Sequence, residues 1–113
     1  MKRLDIIIPH ERLVEVNELL HKHKVGGMTF YDVKGRGRTK SEPVQSGRGI
    51  IRQVPEFGTR TKIEVVVADS QAKPIIDDLK TVSTGSAFDG KIFAYDVAEA
   101  YDIGTKKGGE LAI

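Results

Sequence analysis

The 113-residue sequence predicts an α+β sandwich whose strands and helices follow the order β-α-β-β-α-β. Three observations lead there. Short β-branched apolar runs alternate with two amphipathic stretches of helical period. The two middle strands follow one another with no helix between them. The segment that joins them is a long basic insertion instead of a tight hairpin turn.

Residues 4–8 form an isoleucine-rich run closed by Pro9, and its length and branching favour a buried strand. Over residues 10–24, Leu13, Val16, Leu20 and Lys24 recur at helical spacing with Leu19 widening the stripe. Glu11, Glu15 and Glu18 take the other face of that helix. Gly26 and Gly27 are expected to end it, because glycine adopts the left-handed conformation that satisfies the last carbonyls. Residues 28–33 alternate Met28, Phe30 and Asp32 with Thr29, Tyr31 and Val33, as a strand does. Residues 61–67 set Ile63, Val65 and Val67 on one face and Lys62, Glu64 and Val66 on the other. Asp69 or Ser70 is expected to cap a second helix with the stripe Ala72, Ile75, Ile76, Leu79 and Val82. Pro74 is tolerated there near the first turn. Residues 84–90 read as a compact loop, 91–97 as a fourth strand and 104–113 as a glycine-rich tail.

This order is that of a ferredoxin-like sandwich, with both helices on one face of an antiparallel sheet. Every strand carries large apolar groups on both sides: Ile6 and Ile8 against Ile7, Met28 and Phe30 against Tyr31 and Val33, Ile92 against Phe93, Tyr95 and Val97. Two helices cover one side only. The other is expected to be closed by further copies of the chain.

Residues 1–113 constitute a single domain by length. With no cysteine there is neither a disulfide framework nor a thiolate metal site, which suits a reducing compartment. No basic start leads into an apolar leader, and no run approaches the roughly 20 apolar residues of a membrane span. A cytoplasmic protein without membrane insertion is expected. Between Lys34 and Lys62 the chain carries eight Lys/Arg against Glu42 and Glu56, a local charge of +6 in a chain of net +2, so the remainder sums to −4. A connection this long inside a small domain is generally either functional or disordered. Tryptophan is absent, which leaves four Phe and three Tyr for any base-stacking surface.

Three glycine-containing places can present backbone amides to an anion: Gly35-Arg36-Gly37-Arg38, residues 84–91 ending in Gly90-Lys91, and the tail. None is a Walker A loop, since Gly90-Lys91 opens a strand where that motif opens a helix. His21 and His23 lie two apart on a helix, so their rings diverge, and no carboxylate pair converges with them or with His10. Asp77-Asp78 reads as a solvated helix face. The serines lack a nucleophile-elbow setting, and no acid, base and nucleophile stand in a recognisable arrangement. No catalytic residue, no metal site and no enzymatic turnover are expected.

Taken in order, several segments resemble the PII signal-transduction family of trimeric nitrogen and energy sensors. They are Met1-Lys2-Arg3-Leu4-Asp5, Gly27-Met28-Thr29, Val33-Lys34-Gly35-x-Gly37-Arg38, Lys62-Ile63-Glu64-Val65-Val66-Val67, Thr84-Gly85, Asp89-Gly90-Lys91-Ile92-Phe93 and Ala112-Ile113. The resemblance spans nearly the whole chain. It implies the same sandwich with its sheets packed inward in a homotrimer, and a T-loop insertion over residues 36–58 that docks into a target transporter or enzyme. It also implies a phosphate-side loop over 84–91 and a C-terminal loop and tail over 101–113. ATP or ADP is implied as effector ligand between subunits, with Thr29, Gly37, Arg38, Glu64, Val66, Asp89, Gly90 and Lys91 as nucleotide residues. Thr29, Glu64 and Val66 fall near the base and Lys91 near the phosphates. Contacts to 2-oxoglutarate map to Thr39 and Arg60, and Mg²⁺ is implied only when ATP and that acid bind together. The partner-binding part of the loop maps to Lys40, Arg48, Ile50, Ile51 and Arg52.

The chain also departs from the family pattern. Asp102-Ile103-Gly104 stands where an R-x-R pair usually grips phosphate, and this is expected to weaken triphosphate binding. Phe88 replaces a glycine, Thr39 a glutamine, and Arg60 a common lysine. Arg52 replaces the tyrosine that some members have uridylylated, so that modification has no acceptor there, while Ser41 and Ser46 remain as hydroxyls in the loop. Two other readings follow. One is a paralogue tuned to AMP, a cyclic nucleotide or bicarbonate in carbon or transport regulation. The other is an RNA-binding domain, because RRM domains share this order and Phe93 and Tyr95 alternate on one face. The RRM signature is missing, so no nucleic acid is expected.

Overall fold

The computed structural model of the chain describes residues 1–37, 44–45, 51–52, 57–82 and 90–113, with 44–45 and 51–52 described by their backbone pairing alone. The main sheet contains β1 (Lys2–Ile8), β2 (Thr29–Gly35), β5 (Gly58–Val67) and β6 (Lys91–Asp96). Two short strands, β3 (Val44–Gln45) and β4 (Ile51–Arg52), pair antiparallel within the insertion. The long basic insertion thus contains a ladder of its own. Helices α1 (Leu13–Lys22) and α2 (Asp69–Val82) connect β1 to β2 and β5 to β6.

The four-stranded sheet has the order β2-β5-β1-β6 with every neighbouring pair antiparallel, which is the ferredoxin-like arrangement the sequence predicts. Cross-strand partners share a face. Ile6 sits between Ile63 and Ile92, and Leu4 between Val65 and Ala94. Leu4, Ile6, Ile8, Ile63, Val65 and Val67 therefore point one way, and they are buried against Val16, Leu19 and Leu20 of α1 and Ala72, Ile75 and Leu79 of α2. Full burial of each large aliphatic side chain contributes about 1.5–3 kcal/mol. Thr61 interrupts this apolar face, and its hydroxyl lies 3.1 Å from His10 Nδ1 and 3.4 Å from Asp32 Oδ1.

β2 and β5 are longer than their apolar patterns. Pairing continues through Val33 with Arg60, Lys34 with Thr59 and Gly35 with Gly58, beyond the last β1 partner at Ile8 and Thr61. Backbone pairing sustains this extension without core side chains, and alternation of hydrophobicity could not show it.

Both helix ends differ from expectation. After a single 3₁₀ turn at His10–Arg12, α1 stops at Lys22 with His23 as its cap, ahead of the two glycines. Lys24, at φ 61°, takes the left-handed position instead of Gly26 or Gly27. Its N–H donates to the His21 carbonyl at 2.9 Å, and the Val25 N–H donates to the Leu20 carbonyl at 3.0 Å. These bonds make a Schellman cap, with buried Val25 and Leu20 as its accompanying apolar pair. Burial of Val25 sets where the chain turns, and a lysine accepts the strained backbone. At α2, Gln71 performs the capping expected of Asp69 or Ser70: its Oε1 accepts the Ala68 N–H at 2.9 Å. Its Nε2 donates to the His23 carbonyl at 3.2 Å, tying the start of α2 to the end of α1. Pro74 lies in the second turn, where it removes the bond to the carbonyl of exposed Ser70.

Candidate nucleotide site at the sheet edges

The sheet face away from the helices mixes apolar and charged groups in cross-strand rows. One row runs Thr29, Glu64, Asp5, Phe93; the next runs Tyr31, Lys62, Ile7, Lys91. Phe93 and Tyr95 are about half exposed, as a face lacking its cover would be. A polar network crosses the apolar groups. The Tyr31 hydroxyl donates to Glu64 Oε1 at 2.7 Å. Lys62 Nζ lies 3.6 Å from that oxygen and 3.5 Å from Asp5 Oδ2. Arg3 Nη2 donates to Asp5 Oδ2 at 3.2 Å. Arg3 Nε approaches Asp5 Oδ1 to 3.0 Å as an ion contact without hydrogen-bond alignment. The Arg3 guanidinium also lies 4.4 Å from the Tyr95 ring centroid.

Asp5 has a side chain only 2% exposed, which would be costly for an isolated carboxylate; the two cations offset that cost. The electrostatics follow. Burial opposes the charge on Arg3, but the hydrogen bond and charge of Asp5 outweigh it and hold the guanidinium above its ordinary range. Lys62 is raised by the Tyr31 hydroxyl against the effect of burial, with Asp5 adding to the rise.

At the other edge, Gly90 and Lys91 open β6. They border a cleft of about 190 Å³ between the β1–β6 edge and the last turns of α2, lined also by Ile6, Ile8, Leu79, Lys80 and Ile92. Lys80 and Lys91 are both exposed and have no ion pair or hydrogen bond among the described residues. The two exposed lysines leave this edge of the sheet cationic.

The predicted site residues therefore divide. Thr29 and Glu64 are direct cross-strand partners, and Val66 follows on the same face opposite Arg3. Gly37 lies exposed just beyond the end of β2. Gly90 and Lys91 belong to the far edge strand, separated from β5 by β1. With strands about 4.8 Å apart, some 14 Å separates β2 from β6. One chain does not bring the two groups together. Arg60 is on the open face of the β2–β5 extension and donates to the Thr59 carbonyl at 3.0 Å. Arg38, Thr39, Lys40, Ser41, Ser46, Arg48, Ile50, Phe88 and Asp89 lie outside the described residues, as do the side chains of Ile51 and Arg52.

The tail has more structure than its glycines suggest. Tyr101 bridges to Gly108, the Asp102 N–H donates to the Lys107 carbonyl, and the Lys106 N–H donates back to the Asp102 carbonyl, both at 2.8 Å. Asp102 Oδ1 accepts the Thr105 N–H at 3.0 Å. This backbone hydrogen bond, with a further one from Gly104, holds the carboxyl below its ordinary range. A Cβ at Gly108 would meet the Tyr101 ring at 3.3 Å, so the hairpin closes tightly. Asp102 is thus a turn-forming residue, a role signalled by an aspartate three positions before a threonine in a glycine-containing stretch.

His10 and His23 are each hydrogen-bonded, to Thr61 and Asp78, and no three His, Cys, Asp or Glu cluster as metal ligands among the described residues. No described helix is long and apolar enough to cross a membrane.

A four-stranded antiparallel sheet of ferredoxin-like order, two helices on one face and a long insertion between its middle strands define a small α+β sandwich. Residues 1–107 match the family model of nitrogen regulatory protein P-II. The chain is 39% identical to nitrogen regulatory protein P-II of Klebsiella oxytoca and to nitrogen regulatory protein P-II 1 of Escherichia coli K12, with all of each chain covered. It is 38% identical to the Pasteurella multocida protein over the same extent. The solved structure of GlnK from B. subtilis superposes with a TM-score of 0.77 at 29% identity, covering 99% of this chain and 97% of that one. The chain belongs to the nitrogen regulatory protein P-II family, and it is a signal-transduction regulator with no catalytic role.

Proposed function

We propose that this chain is a homotrimeric, cytoplasmic regulator of nitrogen metabolism that binds ATP or ADP between subunits and controls a target transporter or enzyme through residues 36–58. The observation that supports it most is the division of its site residues. Thr29 and Glu64 sit toward one edge of the sheet and Gly90 and Lys91 at the other, so a complete cleft requires a second copy. The half-exposed Phe93 and Tyr95 on the open face give such copies an apolar surface to bury.

In the assembled cleft Thr29, Glu64 and Val66 face the base, while Gly37, Arg38, Asp89, Gly90 and Lys91 surround the phosphates. A nucleotide that touches two chains and the root of the insertion couples ligand identity to loop conformation through differential contacts. The loop then presents Lys40, Arg48, Ile50, Ile51 and Arg52 to an acidic partner surface. 2-Oxoglutarate and Mg²⁺ join only as companions of ATP, at Thr39 and Arg60.

A second reading has one observation in its favour. The tail offers an aspartate at 102 and no side chain at Gly104, so it adds no cation at either position for a triphosphate. This favours a less charged ligand such as AMP, a cyclic nucleotide or bicarbonate. RNA binding draws no comparable support, because the Arg3 guanidinium already covers the Tyr95 ring.

Calorimetry with ATP, ADP, AMP, cyclic AMP and bicarbonate on the full chain separates these readings. Saturable ATP or ADP binding supports the first. Binding confined to AMP, a cyclic nucleotide or bicarbonate supports the second, and no binding of any of them removes both.

A further inference from the structure

We propose that Tyr31 is a specificity-positioning residue, which holds the Glu64 carboxylate so that its free oxygen reads the 6-amino group of a bound purine. The inference rests on the nucleotide reading given above and deepens it. Tyr31 belongs to none of the segments that define the candidate site, and its connection to that site is geometric.

The Tyr31 hydroxyl donates to Glu64 Oε1 at 2.7 Å across the β2–β5 pair. Lys62, the direct cross-strand partner of Tyr31, stands 3.6 Å from the same oxygen. One short hydrogen bond from Tyr31 and the charge of Lys62 on the same oxygen restrain the rotamer of a side chain that would otherwise sample several on a solvated strand. Oε2 has no partner among the described residues. Thr29 lies directly opposite Glu64, so its hydroxyl and Oε2 share one face beside the edge strand.

An ionised carboxylate only accepts hydrogen bonds. Oε2 therefore favours a purine bearing an amino group at position 6 over one with only hydrogen there, which offers it no donor. Such discrimination is strong only when the reading group cannot turn away, and Tyr31 and Lys62 supply that restraint. A tyrosine that merely packed on an open sheet face would need only its ring. The short bond from its hydroxyl to a carboxylate is the feature that packing leaves unexplained.

ATP and purine riboside triphosphate differ only in the 6-amino group, so the ratio of their dissociation constants reads this contact alone. Calorimetry on the full chain is expected to show wild type preferring ATP over purine riboside triphosphate by about 10-fold or more, the loss typical of leaving a buried polar group without its partner. Tyr31→Phe keeps the ring and is expected to reduce that preference to about 2–3-fold, with oligomeric state and unfolding midpoint unchanged. Glu64→Gln is expected to erase the preference, and adding Tyr31→Phe to it should cause no further loss. Lys91→Ala should weaken both nucleotides alike and leave the ratio intact. A Tyr31→Phe ratio equal to that of wild type overturns the inference while leaving nucleotide binding in place. Absence of nucleotide binding by wild type overturns the parent reading and this inference with it.

Discussion

His23 Nε2 lies 2.8 Å from Asp78 Oδ2, joining the cap of α1 to the second half of α2. Lys22 Nζ approaches the same oxygen to 3.4 Å, and Gln71 binds the His23 carbonyl from the start of α2. The C-terminal end of α1 is thus clipped to α2 at two points, Gln71 and Asp78, by side chains outside the apolar core. The Asp78 carboxyl is held below the ordinary carboxylate range, first by the His23 hydrogen bond and then by the charge of Lys22.

A carboxylate with a depressed folded pKa stabilises the fold above its unfolded value, here 3.8, and loses that contribution as pH falls through the folded value. Asp78→Asn is therefore expected to lower the thermal unfolding midpoint at pH 7, with the gap to wild type closing as pH falls below 3.8. Scanning calorimetry across that range tests it. A gap that widens on acidification would contradict the clip.

Lys24 occupies a left-handed backbone position that costs a residue with a Cβ roughly 1–2 kcal/mol, of which glycine's greater chain entropy recovers part. Lys24→Gly is accordingly expected to stabilise the protein by about 0.5–1 kcal/mol. Urea denaturation measures this, and a destabilised variant would mean the lysine side chain contributes more than its strain.

That position also shows which parts of the fold could be read from sequence. Alternation of Ile63, Val65 and Val67 with Lys62, Glu64 and Val66 identifies β5 and its buried face, because a half-buried strand must repeat at two residues. Glycines at 26 and 27 pointed to the wrong cap, because burial of Val25 overrides local preference. That Thr29 lies on one edge strand and Lys91 on the other depends on strand order, which no local pattern encodes. The Arg3–Asp5–Lys62–Glu64–Tyr31 network joins residues brought together by register across three strands, so its members read separately as solvated charges. Asp102 was legible in principle, since its bond to Thr105 is local, but the surrounding glycines obscured it.

Removing the Asp5 carboxylate leaves Arg3 and Lys62 facing each other over the gap it filled. Asp5→Ala is expected to cost about 1–3 kcal/mol, a buried-pair loss discounted because the cations are partly exposed. Chemical denaturation gives the value, and a neutral substitution would show that the network carries no net stability.

Asp102→Ala removes the acceptor for the Thr105 N–H and should open the tail hairpin, exposing the backbone at Lys106 and Lys107. Limited trypsin digestion is expected to cut after these lysines several-fold faster than in wild type, in line with the link between local opening and proteolysis. Equal rates would remove Asp102 from the turn.

Sedimentation and calorimetry on one sample test the central claim most directly. The account predicts a particle of three chains, each of 12.5 kDa, that binds one adenine nucleotide per chain, about 10-fold or more weakly in both Lys91→Ala and Glu64→Gln trimers. Mixing the two variants should restore binding at those clefts formed by a wild-type Lys91 edge and a wild-type Glu64 edge. A monomer, or a trimer in which mixed variants regain nothing, would contradict a site shared between copies.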